Sequence, residues 1–497
     1  MLRLSSSVRR SAGPLAAAAR RCLSAAAFPS LTVSSEGLSA NGAFAESQLA
    51  YLDPHADDVA RLDDALRRSQ AGVVSHYYMD PELQGILSGL TWPHVFTADS
   101  LAMGDAAVKM AREGATSIVC LGVDFMAESV KATLESQGFK DLPVYRVAQE
   151  HIGCSLAASA EAPAYGAWLS QAAARERSLH IVYINTSLLT KAKAQALVPT
   201  ITCTSSNVLR TVLQAFSQVP DLTVWYGPDT YMGENLRCLL AGLAELSADE
   251  IRRLHPDHTP ETLRAALDHF EVFPQGNCVV HHQFGGEVAE MLRTHYADAY
   301  HTAHLEVPGE MFAVANEASK NGRGVVGSTS NILDFICSVA QDAVETGAQD
   351  KLTFVLGTEA GMITPVVHEL QRLVKGSKTA VEIVFPVSQD AISVTGEARD
   401  TGLAVVPGVT GGEGCSSAGG CATCKFMKMN SLEALMDVLD LVADPSPSLA
   451  KFIPAQRSFQ VQGRSSNEVG AIPILNMREF SQTGELPRNL VEDILKR

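Results

Sequence analysis

The chain alternates short apolar, β-branched runs with longer segments that have helical spacing. The runs predicted to be strands are AGVVSH, TSIVCLGV, LPVYRV, HIVYIN, TITCT, LTVWYG, NCVVHH, GVVGS, KLTFVLG and VEIVFPV. Stretches rich in Ala, Leu and Glu, such as SLAMGDAAVKMAREG, lie between many of them. This alternation predicts an α/β fold with parallel sheets covered by helices. The strands are too many for one sheet, so several short sheets are expected.

Two stretches interrupt this pattern. The segment ELSADEIRRLHPDHTPETLRAALDHFE is charged and has helical spacing, so we expect a surface excursion there. The segment from about Ser388 to Gly420 is rich in Gly, Ser and Val and has little periodicity. We expect it to be a loop that leads into Cys424.

Composition narrows the class of protein. A length of 497 residues indicates more than one domain, and 46% hydrophobic with 19% charged residues is typical of a globular protein. No apolar run is long enough to span a bilayer. The net charge is −16, and no Lys/Arg block appears in the body of the chain. We therefore expect neither a membrane nor a nucleic acid as a partner.

The first 35 residues differ from the rest. They contain five arginines and many Ser and Ala residues, and Glu36 is the first acidic residue. This composition predicts a cleavable organellar transit peptide, with an unprocessed tail as the alternative. Plastid and mitochondrion both remain open. Because organelle interiors keep thiols reduced, the cysteines are not expected to form disulfides.

Cysteines occur in three separate patterned stretches, namely Cys154 in GCSLA, Cys278 in NCVVHHQF and Cys424 in CATCKFMKMN. Scattered cysteines are usually buried core thiols. Three thiolates without a fourth are also what an iron–sulfur cluster with one open iron would need, and such an iron can act as a Lewis acid. The broadly similar separations of the three cysteines suggest three α/β units around one centre.

The pair Cys421-x-x-Cys424, with Cys415 upstream, allows two other interpretations. It resembles a redox dithiol or half of a zinc site. No second CxxC is present, and KFMKMN follows the pair where a thioredoxin would begin a helix. Both interpretations are therefore weaker than the three-thiolate hypothesis.

Polar residues recur where the apolar runs end. One polar strand end usually indicates a cap or a turn, but several predict a shared pocket, because ligands bind beyond the carboxyl ends of parallel strands. Ser or Thr also precedes a helical pattern in DSLAM, CTSSNVL and GSTSNIL. These hydroxyls either cap helices or bind an anion. The second alternative favours a phosphorylated or carboxylated substrate.

His304 and Glu306 project to one face of an extended segment and are candidates for proton transfer, or else form a surface polar pair.

An ordered set of motifs resembles the quinolinate synthase family (type A), in its eukaryotic organellar form. The motifs are HYYMDPELQ, ADSLAM, GVDFMAES, GCSLA, VYINTS, CTSSN, CVVHHQF, HLE, GSTS, GTEAGM and CATCKFMKMNSLE, and they span roughly residues 70 to 435. The resemblance implies three α/β/α domains around a pseudo-threefold axis, with short parallel sheets around a central active site. It also implies a 4Fe–4S cluster held by Cys154, Cys278 and Cys424, with Cys203, Cys415 and Cys421 outside the ligand set.

The implied organisation has six parts. They are a transit peptide (1–35), an N-terminal extension with a helix (36–65), three α/β domains (66–153, 154–277 and 278–424) and a C-terminal segment that packs back on the core (425–497).

The implied activity is a transferase reaction of de novo NAD biosynthesis. Iminoaspartate condenses with dihydroxyacetone phosphate to give quinolinate, with loss of phosphate and two waters. Substrate-binding residues by resemblance are His76, Ser100, Phe125, Tyr183, Asn185, Ser205, His304, Glu306 and Thr329. Catalytic candidates are Glu306, His304, Tyr183, His281 and Tyr78.

The resemblance also implies partners. These are an L-aspartate oxidase or dehydrogenase that supplies iminoaspartate, and the Fe–S assembly machinery, while a homodimer is left open. An iron–sulfur hydro-lyase and a non-enzymatic Fe–S sensor are the alternative functions. One departure concerns the catalytic motif, because Leu305 replaces the proline that the family usually has between His304 and Glu306, and this frees the local backbone.

Overall fold

A computed structural model describes residues 28–347, 349–386, 424, 426–454 and 459–497. Residues 1–27 of the predicted transit peptide lie outside this described part, as do the predicted loop before Cys424 and the two cysteines Cys415 and Cys421. Within the described residues, no helix combines the length and the apolar character needed to cross a membrane.

The strands are β1 (Ser30–Ser34), β2 (Gly37–Asn41), β3 (Ala71–His76), β4 (Val95–Ala98), β5 (Ser117–Leu121), β6 (Val144–Tyr145), β7 (Ser178–Tyr183), β8 (Thr200–Cys203), β9 (Thr223–Gly227), β10 (Phe270–Val272), β11 (Tyr300–His304), β12 (Gly324–Gly327), β13 (Lys351–Gly357), β14 (Ala380–Val384), β15 (Gln460–Val461) and β16 (Arg464–Ser465).

The α-helices are α1 (Ala43–Tyr51), α2 (Ala56–Ser69), α3 (Pro81–Ser88), α4 (Ser100–Arg112), α5 (Asp124–Ser136), α6 (Ser155–Glu161), α7 (Pro163–Ala173), α8 (Leu188–Leu197), α9 (Val208–Gln218), α10 (Thr230–Leu243), α11 (Ala248–Leu254), α12 (Pro260–Asp268), α13 (Gly286–His295), α14 (Gly309–Ser319), α15 (Thr329–Thr346), α16 (Ile363–Val374), α17 (Leu432–Ala443), α18 (Ser466–Thr483) and α19 (Arg488–Lys496). Short 3₁₀ helices cover His281–Gln283, Ala360–Met362, Met427–Met429 and Pro447–Phe452.

Three parallel sheets in the described part of the chain repeat one strand order. The orders are β4-β3-β5-β6, β8-β7-β9-β10 and β12-β11-β13-β14. In each unit the first strand is central, the second lies at its outer side, and the third and fourth follow on the other side. The four strands of each unit pair in parallel, and helices connect them, as crossovers between parallel strands require. The predicted α/β class with repeated units is confirmed.

The N-terminal strands belong to the third sheet. Strand β1 pairs antiparallel with β14, and β2 pairs antiparallel with β1. Leu31 and Val33 of β1 are fully buried in the core of the third unit. Removal of residues 1–35 would therefore take β1 out of this sheet. The other domain boundaries remain a prediction from the sequence.

Some predicted elements differ from the structure. The predicted strand NCVVHH is wrong, because the chain turns after Cys278 into the 3₁₀ helix His281–Gln283. Its backbone is satisfied locally, since the N–H of His282 donates to the carbonyl of Cys278 at 3.0 Å. A short apolar run cannot by itself distinguish a strand from such a turn.

The charged excursion is confirmed as two helices, α11 and α12, each of which begins with a capping box.

The C-terminal segment packs on two units: helix α17 lies in the core of the first unit, and helix α18 lies on the second. Helix α18 lies on α8 and β8, and the Asn476 side chain donates to the carbonyl of Thr200 at 3.0 Å. Gly470 makes this close packing sterically feasible, because a Cβ at this position would lie 2.2 Å from the carbonyl oxygen of Leu188. The absence of a side chain at Gly470 therefore sets the distance between the two helices.

We expect Gly470→Ala to destabilise the protein by roughly 1–3 kcal/mol, because backbone atoms must move apart to admit the methyl group. Gly242→Ala in α10 is the matched control, since no atom lies within 4 Å of its added Cβ. The control should be neutral or stabilising by up to about 1 kcal/mol. Urea unfolding of both variants measures the difference, and equal stabilities would contradict the packing argument.

Candidate active site

Three pairs of predicted site residues occupy equivalent places in the three units. Each pair consists of the last residue of the unit's first strand and the residue two positions later. The pairs are His76 with Tyr78, Tyr183 with Asn185, and His304 with Glu306. Because the carboxyl ends of these strands carry the pairs, each unit contributes side chains at the edge where α/β proteins bind ligands.

The predicted hydroxyl residues lie two positions after the second strand of each unit. They are Ser100, Ser205 and Thr329. The first and second strands of a unit end at the same level of the sheet, because their last residues pair with each other. His76 pairs with Ala98, and His304 pairs with Gly327. The helix N-caps are the neighbouring residues Asp99, Asn207 and Ser328. The predicted hydroxyl residues Ser100, Ser205 and Thr329 are therefore not the N-cap residues of these helices.

Glu306 is the centre of a buried polar cluster. Its side chain is 1% exposed, and the Tyr183 hydroxyl donates to its Oε1 at 2.5 Å. His304 Nδ1 lies 3.7 Å from Oε1. His281 Nδ1 lies 3.3 Å from Oε2, but off hydrogen-bond geometry, so Oε2 has no hydrogen-bond partner among the described residues. The cluster joins the second unit to the third.

The Glu306 carboxylate is held in its ionised form. Burial by itself would raise the pKa of this carboxyl. The proximity of His281 and His304 and the hydrogen bond from Tyr183 outweigh burial and lower the pKa of Glu306 to about 2. At neutral pH, Glu306 is thus a buried carboxylate whose Oε2 accepts no hydrogen bond from the described residues.

His76 and His304 share a local arrangement that fixes their tautomer. In each, Nδ1 accepts the backbone N–H of the residue two positions later, from Tyr78 at 3.1 Å and from Glu306 at 3.3 Å. The ring proton therefore lies on Nε2. Burial lowers the pKa of His76 to about 4 and that of His304 to about 3, so both rings are neutral near pH 7 and present an Nε2–H donor.

Tyr78 closes the cluster from the first unit. Its ring centroid lies 4.8 Å from that of His76, 5.8 Å from that of His281 and 6.1 Å from that of His304. His281 and His304 stack at 5.0 Å. Burial, followed by the charge of Glu306, raises the pKa of Tyr78 well above its ordinary value. Tyr78 is therefore a neutral phenol in contact with side chains of the third unit.

The three patterned cysteines share one local environment. Each lies just before a helix or a 3₁₀ helix, and its sulfur accepts backbone N–H groups from the residues that follow. These donors are Leu156 and Ala157 for Cys154, His281 for Cys278, and Phe426 and Met427 for Cys424. N–H groups at a helix start stabilise a thiolate. Burial raises the pKa of Cys154 to about 12 and also raises the pKa values of Cys278 and Cys424.

The cysteine segments are in contact with one another. Ser155, next to Cys154, donates its Oγ to the carbonyl of Asn277 at 3.0 Å and accepts the N–H of Val279 at 3.4 Å. These two residues flank Cys278. A single side chain therefore ties the segment of Cys154 to both sides of Cys278.

Glu359 is a site residue that sequence reasoning missed. It follows β13, is 2% exposed, accepts the backbone N–H of Cys424, and has one carboxylate oxygen without a partner among the described residues. Its carboxylate, Cys278 and His281 offer ligand atoms within 4.8 Å of one another, as do His281, His304 and Glu306. The signal in the sequence was an acidic residue at the end of the apolar run KLTFVLG, within the quoted motif GTEAGM.

Other predicted residues are not joined to the Glu306 cluster by the described contacts. Ser100, Asn185, Ser205 and Thr329 lie at strand ends as expected, with Ser100 and Thr329 buried. Phe125 is 3% exposed and packs in the core of the first unit at the start of α5. Their roles stay predictions.

Hydrogen bonds hold the backbone around Leu305, the position where the family usually has a proline. The Asn235 side chain, itself buried, donates to the carbonyl of Leu305 at 2.9 Å and to that of Val307 at 2.8 Å. These bonds hold the backbone on both sides of Glu306. The missing proline therefore does not leave this segment without a restraint.

Fold and site together define a class of protein: a three-unit α/β scaffold with a buried centre of Cys, His and Glu side chains that can hold a metal. Comparisons with known proteins are consistent with this class. Residues 60–446 match the family model described as NadA, Quinolinate synthetase A protein. The chain belongs to the quinolinate synthase family.

Several characterised relatives are similar over most of the chain. "Quinolinate synthase, chloroplastic" of Arabidopsis thaliana is 49% identical over 481 residues, which is 94% of this chain and 67% of the relative. The protein of the same name from Nicotiana tabacum is 47% identical over 95% of this chain and 67% of the relative. "Quinolinate synthase" of Thermosynechococcus vestitus is 27% identical over 76% of this chain and 86% of the relative. The predicted organellar location agrees with the chloroplastic names.

A buried lysine fixes the loop that carries Tyr183 and Asn185. Lys191 is fully buried, and its Nζ donates to the carbonyls of Ile184 and Thr186 and, at 2.9 Å, to Thr186 Oγ1. The Thr186 hydroxyl in turn donates to the carbonyl of Tyr183 at 3.0 Å. The buried amino group thus organises the turn after β7 through these hydrogen bonds.

We expect Lys191→Met to destabilise the protein by roughly 2–3 kcal/mol and to lower quinolinate formation, because the buried acceptors lose their donor and the turn shifts. Lys193→Met on the exposed side of the same helix is the control and should behave like the unmodified protein. Thermal unfolding and steady-state turnover measure the two effects. Normal turnover in a folded Lys191→Met variant would contradict this role.

Proposed function

We propose that this chain condenses iminoaspartate with dihydroxyacetone phosphate to form quinolinate, with release of phosphate and two waters, and that it does so as a 4Fe–4S-dependent transferase. The observation that carries the proposal is the shared environment of Cys154, Cys278 and Cys424. Each follows the fourth strand of its unit in the chain, and each sulfur receives backbone N–H groups.

The residues fit such a cluster by their chemistry. Thiolates are the usual ligands of iron–sulfur clusters, and hydrogen bonds to sulfur tune them. The thiol of Cys424 interacts electrostatically with those of Cys154 and Cys278, which supports a common centre. When bound, a cluster with three protein ligands supplies one open iron that acts as a Lewis acid toward an oxygen of the substrate.

The protein's own side chains supply proton transfer and charge recognition. The free Oε2 of Glu306 accepts a proton from a bound intermediate, while Tyr183 holds Oε1 and keeps the carboxylate oriented. The Nε2–H groups of His76 and His304 are neutral donors suited to a carboxylate of the substrate. Because these groups are buried, their interactions are stronger than they would be in water.

The hydroxyls of Ser100, Ser205 and Thr329 suit the phosphate and carboxylate groups of the substrates. Ser100 and Thr329 are the first residues of α4 and α15, where the backbone N–H groups of a helix start also favour an anion. Phe125 and Asn185 complete the proposed substrate-binding set, and His281 and Tyr78 complete the catalytic one.

The proposed setting follows from the reaction and from the relatives. Plant relatives are named chloroplastic, so we place the mature protein in a plastid. An L-aspartate oxidase or dehydrogenase supplies iminoaspartate, and Fe–S assembly proteins supply the cluster. A homodimer stays an open prediction.

Protein purified anaerobically with iron is expected to show the absorption and EPR signals of a 4Fe–4S cluster, and to form quinolinate from both substrates. Changing Cys154, Cys278 or Cys424 individually to Ser should remove the cluster and the activity, because each supplies one of three ligands. Cys238→Ser, on an exposed residue, is the control. A full cluster in any of the three variants would exclude that residue as a ligand, and dehydration without quinolinate would favour a hydro-lyase.

Glu306→Gln is expected to keep the cluster signals and to lower turnover by about 10²–10⁴-fold, because the amide cannot accept the proton. Glu310→Gln, an exposed position in the next helix, should leave turnover unchanged. Parallel EPR spectra and quinolinate assays separate cluster content from chemistry. Unchanged turnover in Glu306→Gln would remove this carboxylate from the mechanism.

A further inference from the structure

Two of the cysteine segments are held by the same pair of hydrogen bonds. In the first unit, the N–H of Asp124 donates to the carbonyl of Ile152 at 3.0 Å, and the N–H of Ile152 donates to Asp124 Oδ1 at 3.3 Å. In the second unit, the N–H of Thr230 donates to the carbonyl of Gly276 at 2.7 Å, and the N–H of Gly276 donates to Thr230 Oγ1 at 3.0 Å. We call each reciprocal pair a cysteine clamp.

The two clamps occupy equivalent positions. Asp124 and Thr230 are the first residues of α5 and α10, and each lies three positions after the last residue of its unit's third strand. Ile152 and Gly276 each lie two positions before the cysteine of their unit. The clamp therefore connects the carboxyl end of the third strand to the cysteine segment in both units, although the residues that form it differ.

The third unit achieves a related connection with a different residue. The position three residues after β13 is Ala360, which offers no side-chain acceptor. The preceding residue, Glu359, accepts the backbone N–H of Cys424 itself. An acceptor side chain at the start of the helix after the third strand thus holds each cysteine segment.

Each clamp side chain is itself fixed by its surroundings. Asp124 accepts two bonds from the buried Arg146, at 2.8 and 2.9 Å, and lies 2.6 Å from His151 Nδ1. Thr230 Oγ1 also donates to the carbonyl of Phe273 at 2.8 Å. Its partner, Gly276, packs so tightly that an added Cβ would lie 2.0 Å from the carbonyl oxygen of Pro228. Neither clamp has freedom to shift.

We propose that Asp124, Thr230 and Glu359 are positioning residues that preorganise the three cysteines for the iron–sulfur cluster, an inference that rests on the proposed function. Three ligands from distant segments of the chain must meet with an accuracy of a few tenths of an ångström. Hydrogen bonds behind the ligands provide that order before iron arrives and hold it afterwards. None of the three residues needs to touch the substrate for this role.

Thr230 offers the sharpest test, because Thr230→Val removes both hydroxyl bonds with little change of shape, whereas Thr230→Ser keeps them. We expect Thr230→Val to lose iron to a chelator about tenfold faster than the unmodified protein, and Thr230→Ser to match it. Thr211→Val removes a buried threonine hydroxyl bond in α9, away from the cysteines. This control should leave the rate of iron loss unchanged, even if it lowers the unfolding temperature.

A second readout does not depend on the cluster. In cluster-free protein, the Gly276 amide should exchange its hydrogen about tenfold faster in Thr230→Val than in the unmodified protein and in Thr230→Ser. Equal exchange would overturn the clamp, whatever the cluster content. Equal rates of iron loss, from proteins that all hold a cluster, would overturn its role in positioning the ligands. If the unmodified protein holds no cluster, the proposed function fails, and the exchange measurement still decides whether the clamp exists.

Discussion

The desolvated carboxylate of Glu306 is the interaction on which the site depends. An ionised carboxyl buried to 1% exposure is costly unless polar partners compensate for the lost water. Tyr183 from the second unit donates a hydrogen bond to the carboxylate, and the rings of His281 and His304 lie 3.3 and 3.7 Å from it. Tyr78 from the first unit lies against these rings. The charge therefore lies where side chains of all three units meet, with Cys278 close to the same His281.

The threefold repeat of the sheet explains how one chain builds such a centre. In every unit, polar residues follow the first strand, a hydroxyl residue follows the second, an acidic or hydroxyl residue follows the third, and a cysteine follows the fourth. The pairs differ in chemistry, being His with Tyr, Tyr with Asn, and His with Glu. Parallel strands make this possible, since all their carboxyl ends lie at one edge of a sheet.

Sequence reasoning recovered the units, most strands and the members of the central cluster, since strand periodicity and polar strand ends are local signals. Sequence reasoning failed where backbone hydrogen bonds or long-range contacts decide whether a segment is a strand or a residue belongs to the site. NCVVHH has the composition of a strand, yet it turns because its backbone is satisfied locally. Strand β1 was assigned to a leader, because only its antiparallel pairing with β14 makes it part of a sheet. Glu359 escaped notice because its burial beside Cys278 is a long-range property.

The sequence by itself determined the α/β class, the family and the residue types of the site, because these depend on composition, periodicity and the order of motifs. Tertiary structure decided which side chains surround the carboxylate of Glu306 and which hydroxyl residues are not helix N-caps. It also decided which hydrogen bonds hold each cysteine segment. The physical reason is that desolvation, hydrogen-bond geometry and neighbouring charge depend on residues far apart in the chain. Tyr183 and Glu306, separated by 123 positions, meet at 2.5 Å only in the folded protein.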